Sequence, residues 1–300
     1  MRWFRERDYG RLLSGRFTEP LHVNLAAAIA KVFGSYRTKV AFDLIVRPAY
    51  AFGMLKAADL ASAAGIEKIT AIEFGVAAGA GLLAMCRIAE ETTRCTGVQF
   101  DIVGFDGGTG LPPPADYRDH PDLWIAGDYP MPNRDALLNA LPANARIVFG
   151  PVAETVPRFV ESFSAECPIG FVAMDVDYYS SARECLKVFE HADPNRYLHL
   201  TVIYFDDVME ETSNSWCGEL LAINEFNDAH DRRKIELNRP LRSQRILKNA
   251  SWPDKIYLLH VLDHPTMQPN HSKRSSIIQL GNPQLGIEGI NPYKGTRIKT

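Results

Sequence analysis

Three features of the 300-residue chain predict an α/β fold on an open, doubly wound, mostly parallel sheet. Strand-like and helix-like patterns alternate for about 140 residues from Ile69 onward, the signature of consecutive βαβ units. The strand cores are nearly all apolar, as strands covered by helices on both faces should be. Two last strand candidates, KIELN (234–238) and DKIYLLHVLD (254–263), have no helix-like pattern between them, which predicts a closing antiparallel pair.

Taken in order, residues 1–48 mix five arginines (Arg2, Arg5, Arg7, Arg11 and Arg16) with aromatics before LAAAIAKVF (25–33), and read as an N-terminal helical cap. Glu6 and Asp8 interleave with the arginines, which favours a solvated face over nucleic-acid binding. Pro48 to Gly65 reads as a helix with a proline at its start and a glycine stop. ITAIEF (69–74) precedes a helix over 81–91, and FDIVGFD (100–106) precedes a proline-rich loop and a helix over 134–140. RIVFG (146–150) leads into a helix over 153–165, with Pro157 placed in the tolerated first turn. IGFVAMDVD (169–177) and TVIYFDD (201–207) each lead into another helix. The main α/β domain is expected over 49–264, with an irregular tail over 265–300 rich in Pro, Gly and Asn.

Bulk properties narrow the function. With 46% hydrophobic and 23% charged residues and a net charge of −3, the chain has the composition of a globular domain and no global basic field for nucleic acid or anionic membranes. No stretch reaches the roughly 20 apolar residues of a membrane span, and the first residues lack the pattern of a signal peptide. The five cysteines lack CxxC or Cys/His clustering, which speaks against structural zinc or a disulfide framework and for a reducing cytoplasm. The aromatic, alanine-rich N-terminal helices have the composition to bury against a second subunit.

The chemistry concentrates where strands end. Glu73-Phe74-Gly75-Val76-Ala77-Ala78-Gly79 spells E-x-G-x-A-x-G between a predicted strand and helix, where glycines permit unusual backbone angles and close ligand approach. The spacing is not the dinucleotide fingerprint, which disfavours a nicotinamide-dependent enzyme. Asp106 ends the second strand in VGFDGGTGLP, where it either binds ribose hydroxyls or starts a glycine turn. Asp175 and Asp177 are expected on one face of the fourth strand, with Asp206 and Asp207 ending the fifth. Carboxylates converging there need protonation, hydrogen bonds or a bridging hard cation such as Mg²⁺; equally, they cap the helices that follow.

Five parallel strands followed by an antiparallel pair resemble the seven-strand, Rossmann-like order of class I S-adenosylmethionine-dependent methyltransferases, and the opening motif resembles their E/D-x-G-x-G-x-G with Ala77 in place of the middle glycine. EFGVAAGAG, VGFDGGTGLP, GDYP, MDVDYYSS, FDD and GELLAINEF together resemble the macrocin O-methyltransferase family, metal-dependent enzymes that methylate sugar hydroxyls of natural products. The resemblance covers roughly residues 49–229 and implies an S-adenosylmethionine site lined by Glu73, Gly75, Ala77, Gly79, Asp106 and Gly107, with Asp175 beside it and Gly150 to Val152 bordering the adenine. It implies Asp177, Asp206 and Asp207 as Mg²⁺ ligands. RYLHLTVIYFDD replaces the family's glycine-rich approach to the fifth strand.

The expected reaction is Mg²⁺-dependent transfer of a methyl group to a hydroxyl of a sugar-containing or other small-molecule acceptor, the metal lowering the pKa of the hydroxyl as a Lewis acid and Asp177 serving as metal ligand and base. His191, His199, His230, His260 and His264 are alternative bases, but each reads rather as a structural or surface residue. No G-x-S-x-G signature points to a hydrolase. Rival readings are a catechol-type methyltransferase and a noncatalytic cofactor-binding protein.

Overall fold

The computed structural model describes residues 18–267, together with 279, 280 and 284. The chain divides after Leu262 into two units, and the expected tail lies mostly outside the described residues, as do Arg2, Arg5, Arg7, Arg11 and Arg16. The smaller unit shows a short 3-10 turn over Pro265–Met267.

The larger unit begins with α1 (Leu21–Phe33), α2 (Tyr36–Ala41) and α3 (Pro48–Ala64). The α/β alternation then runs through β1 (Lys68–Phe74), α4 (Ala80–Thr96), β2 (Gln99–Asp106), α5 (Arg134–Ala140), β3 (Ala145–Phe149), α6 (Val152–Ser162), β4 (Ile169–Met174), α7 (Tyr179–Leu186), β5 (Tyr197–Phe205) and α8 (Gly218–Ala229). It closes with β6 (Arg233–Leu237), the four-residue α9 (Leu241–Gln244) and β7 (Ile256–Val261). The sheet order is β3-β2-β1-β4-β5-β7-β6. The first five strands pair in parallel, and β7 runs antiparallel to both β5 and β6. This is the doubly wound, mostly parallel seven-stranded sheet with a C-terminal antiparallel pair that the sequence predicts.

Side-chain alternation assigns the two faces. Ile69 and Ala71 of β1, Phe171 and Ala173 of β4 and Val202 of β5 pack with Tyr50, Met54 and Ala58 of α3 and Leu82 and Met85 of α4. The intervening residues Ile72, Phe74, Val172, Met174, Ile203 and Phe205 pack on the opposite side with Val156 and Phe159 of α6, Ala182 of α7 and Ile223 of α8. By the same period of two, Glu73 and Tyr204 belong to the α3 face. A buried ion pair holds the N-terminal helices to the segment before β7: Arg245 meets Asp43 and donates to the Val40 carbonyl at 2.8 Å, while the Trp252 indole N–H donates to Asp43 at 3.0 Å.

Several elements differ from expectation. Pro157 falls in the second turn of α6, not the first. It is tolerated because Ala153 and Pro157 are both exposed, so water can take the carbonyl that the missing N–H leaves. β4 stops at Met174 and β5 at Phe205, so the four aspartates lie in the loops beyond them. Asp177 adopts a left-handed φ of 60° and turns the chain toward α7, so strand alternation does not govern Asp175 and Asp177. Among the described residues no helix is long and apolar enough to cross a membrane.

Candidate active site

The sheet changes winding direction between β1 and β4, and the loops at their carboxyl ends open the crevice where doubly wound folds bind ligands. The β1–α4 turn is built of left-handed residues: Gly75 at φ 83°, Ala77 at 45° and Gly79 at 84°. Gly75 is obligatory, because a Cβ there would stand 1.7 Å from the Asp175 carbonyl oxygen. Ala77 adopts the conformation that glycine favours in its place, at a cost of about 1 kcal/mol. In return its N–H donates to Asp106 Oδ2 at 2.7 Å. Gly79 precedes the first residue of α4, and its N–H closes the turn onto the Val76 carbonyl at 2.8 Å.

Asp106 also accepts from the Gly108 N–H at 2.5 Å, and its own carbonyl accepts from Gly150 at 3.1 Å. This one residue therefore ties together the ends of β1, β2 and β3. Each of its carboxylate oxygens takes one amide and keeps a free lone pair, so the turn role and a ribose-binding role are compatible. Gly107 is exposed beside it, and Val152, half-buried, starts α6.

Glu73 is 1% exposed. Its Oε1 accepts the Tyr50 hydroxyl at 2.8 Å, and its Oε2 has no hydrogen-bond partner. α4 can approach it because Gly81 lacks a side chain; a Cβ would lie 1.9 Å from Oε1. Burial pushes the Glu73 carboxyl up to about 7, against the opposing pull of Arg47 and the Tyr50 hydrogen bond.

The second cluster lies at the ends of β4 and β5. Burial, then repulsion from Asp206 and Asp207, drives Asp175 well above the usual carboxylate range. Burial, Asp175 and Asp206 raise Asp177 to about 7. Asp207 is held well up by burial and Asp177, and its Oδ2 accepts the Asp177 N–H at 3.2 Å. Asp207 in turn donates its own N–H to Glu219 Oε2 at 3.0 Å. Glu219 is fully buried and its Oε1 has no partner. Asp206 behaves oppositely: although burial works to raise it, Lys255 and Tyr204 bring it below the ordinary value. Lys255 Nζ lies 3.0 Å from Asp206 Oδ1, and the Tyr204 hydroxyl donates to the same oxygen.

The expected Mg²⁺ set is therefore not arranged as a ligand set. Asp206 already carries an ammonium and a hydroxyl, Asp207 accepts the Asp177 N–H, and Asp177 is turned by its left-handed backbone. Among the described residues no group of three His, Cys, Asp or Glu side chains could hold a metal ion. Lys255 supplies the positive charge that holds Asp206 ionised.

Near these acids lies the GDYP loop. Burial raises the Tyr129 hydroxyl to about 12, helped by Asp177 and Asp207, and its ring meets Trp124 edge-on at 5.9 Å. Arg47, Tyr50, Tyr204 and Lys255 were invisible as site residues in the sequence. Only Glu219 carried a signal, inside the GELLAINEF string.

No family model and no curated protein matches this chain. Among solved structures it is similar to the calicheamicin methyltransferase CalS11, at 19% identity over 70% of this chain and 77% of that one, with a TM-score of 0.49. It is similar to cofactor-bound Rv0187 from MTB, at 15% identity over 85% and 96% of the two chains, with a TM-score of 0.38. It is also similar to an O-methyltransferase from Bacillus cereus in complex with SAH, at 15% identity over 68% and 78%, with a TM-score of 0.34.

Proposed function

We propose that this protein is an S-adenosylmethionine-dependent O-methyltransferase acting on a hydroxyl of a small molecule, with sugar-containing natural products as the favoured acceptor class. The observation that carries the reading is the left-handed turn from Gly75 to Gly79, cross-linked to Asp106 at the winding switch of the sheet. It offers close backbone approach and a ribose-binding carboxylate in one place. Glu73, Gly75, Ala77, Gly79, Asp106, Gly107 and Val152 are assigned to the cofactor, with Asp175 at its edge.

When bound, the cofactor supplies an electrophilic methyl carbon on a sulfonium sulfur. Asp177 is assigned as the base: its carboxylate makes no hydrogen bond with any described residue, it is 8% exposed, and it lies close to Tyr129 of the GDYP loop. As the acceptor oxygen bonds to the methyl carbon and the carbon–sulfur bond breaks, the hydroxyl proton passes to Asp177. Trp124 and Tyr129 offer ring faces to a sugar or aromatic acceptor. No step is routed through a metal.

The test is transfer from labelled cofactor to a panel of glycosides and catechols, with and without a chelator. Loss of turnover in the chelator arm would restore the metal role expected for Asp177, Asp206 and Asp207. Asp177→Asn is expected to lower kcat on the order of 100-fold with the cofactor Kd unchanged; equal effects on both would remove the base assignment. Asp106→Ala is expected to weaken cofactor binding about 10-fold or more in calorimetry, and unchanged affinity in a folded variant would count against the ribose assignment.

A further inference from the structure

α1 presents its apolar side the wrong way round. A surface helix ordinarily turns its apolar stripe to the core and its polar face to water. Of the 13 residues of α1, only Ala27 and Ala30 are buried, whereas Leu21, Leu25, Ile29, Val32 and Phe33 are all exposed, from 59% for Leu25 to 83% for Phe33. The helical period places Leu21, Leu25, Ile29 and Val32 on one stripe with Phe33 at its edge. Lys31 is the one charged residue of the helix, and the period puts it off that stripe.

The stripe is held in place, not loose. Just ahead of α1, the half-exposed chain is pinned where Glu19 accepts the Asn249 N–H at 2.8 Å, and just after it Ser35 caps α2 by accepting the Thr38 N–H at 3.2 Å. A fixed surface loses little freedom when it is covered. A helix of this length is marginal by itself in water, and two buried alanines give it little. The five exposed side chains together offer roughly 700 Å², close to the about 800 Å² that each partner contributes to a standard protein–protein interface and more than a monomer ordinarily leaves in one apolar patch.

We propose that the α1 stripe is the interface between two copies of this chain, packed face to face about a two-fold axis. Such an interface uses the same patch on both subunits. A stripe without charge is complementary to itself, because neither copy buries an ion against the other. Residues 1–17 suit it less well as a cover, since seven of those seventeen residues are charged and burying unpaired charge is costly. An anionic bilayer is drawn by cations flanking an apolar helix face, and α1 itself offers Lys31 alone. The inference stands separately from the methyl-transfer reading.

The test is sedimentation equilibrium on the full chain across the micromolar range. The wild type is expected at about twice the 33.5 kDa of one chain. Leu25→Glu combined with Ile29→Glu is expected to raise the dimer dissociation constant about 100-fold or more, giving a monomer with unchanged helix content by circular dichroism. Leu25→Ala combined with Ile29→Ala keeps a strong helix former at both positions and is expected to weaken the dimer about 10-fold or more, so the question is answered even if the glutamate pair misfolds. A wild type that stays monomeric overturns the interface, and so does a dimer that survives both pairs of substitutions. Two further outcomes also overturn it by naming another occupant: a monomeric wild type that dimerises once residues 1–17 are removed, and a monomeric wild type that binds phosphatidylcholine–phosphatidylserine vesicles through Leu25 and Ile29.

Discussion

Gly75→Ala is expected to destabilise the fold by about 4 kcal/mol or more, among the largest effects a single methyl group can produce. Two costs add. The left-handed backbone at φ 83° is about 1 kcal/mol worse for alanine. The new Cβ would also stand 1.7 Å from a backbone oxygen, that of Asp175, which has no rotamer with which to retreat. Moving it means disturbing the Asp175 N–H bond to the Phe74 carbonyl at 3.1 Å, or the Gly75 N–H bond to the Phe105 carbonyl at 3.0 Å. These bonds join β1 to its neighbours at the ligand end of the sheet. Gly97→Ala separates the costs, because Gly97 has nearly the same φ, 82°, and open space where the Cβ would go. Urea unfolding should place Gly97→Ala about 1 kcal/mol below wild type and Gly75→Ala several times further down. A Gly75→Ala variant no less stable than Gly97→Ala would show that the two strand ends can part freely, which would undercut the close-packed cofactor turn.

The β1–α4 turn is also where the sequence was most legible. The glycine spacing after β1 and the Pro48 and Gly65 boundaries of α3 are local signals, and the structure has them where expected. The apolar strand cores likewise fix the alternation that puts Glu73 on the α3 face. What stayed hidden depends on contacts between distant segments. Lys255 reaches Asp206 across 49 positions, because antiparallel pairing sets Tyr204 opposite Ile256; no local pattern carries that register. The run MDVD continues an extended pattern on paper, yet β4 stops at Met174, and Asp177 turns left-handed with its N–H on Asp207. Arg47 ran against its own local preference, since pre-proline residues favour extended backbone. Carboxylates gathered at strand ends left a cation and helix capping equally open, and the Mg²⁺ ligand set came from the family resemblance; neither reveals that Asp206 already holds a lysine.

Glu73→Gln is expected to stabilise the unliganded protein at pH 8 by about 3 kcal/mol while weakening its hold on the cofactor. The Glu73 carboxyl rises from 4.5 to about 7 in the folded chain, through burial first, opposed by Arg47 and the Tyr50 hydroxyl and assisted by Asp106; Asp175 and Cys86 are the other titratable groups nearby. Raising an acid's pKa means that the folded state binds more protons than the unfolded state between those two values. Stability therefore falls as pH rises from about 4.5 to about 7. The full penalty, about 1.4 kcal/mol for each tenfold difference in proton affinity between the folded and unfolded chains, applies above that window. Glutamine is neutral throughout and keeps an oxygen for the Tyr50 hydroxyl, so its advantage should be absent near pH 4.5 and complete by about pH 8. Denaturant midpoints of the two proteins at both pH values check this, and a difference that does not change with pH would refute it. A buried carboxylate that lowers stability and lacks a donor on one oxygen makes physical sense where a cationic ligand group completes it. The same variant should accordingly lose S-adenosylhomocysteine affinity at pH 8 as its stability rises, two opposite changes that a purely structural glutamate would not produce together.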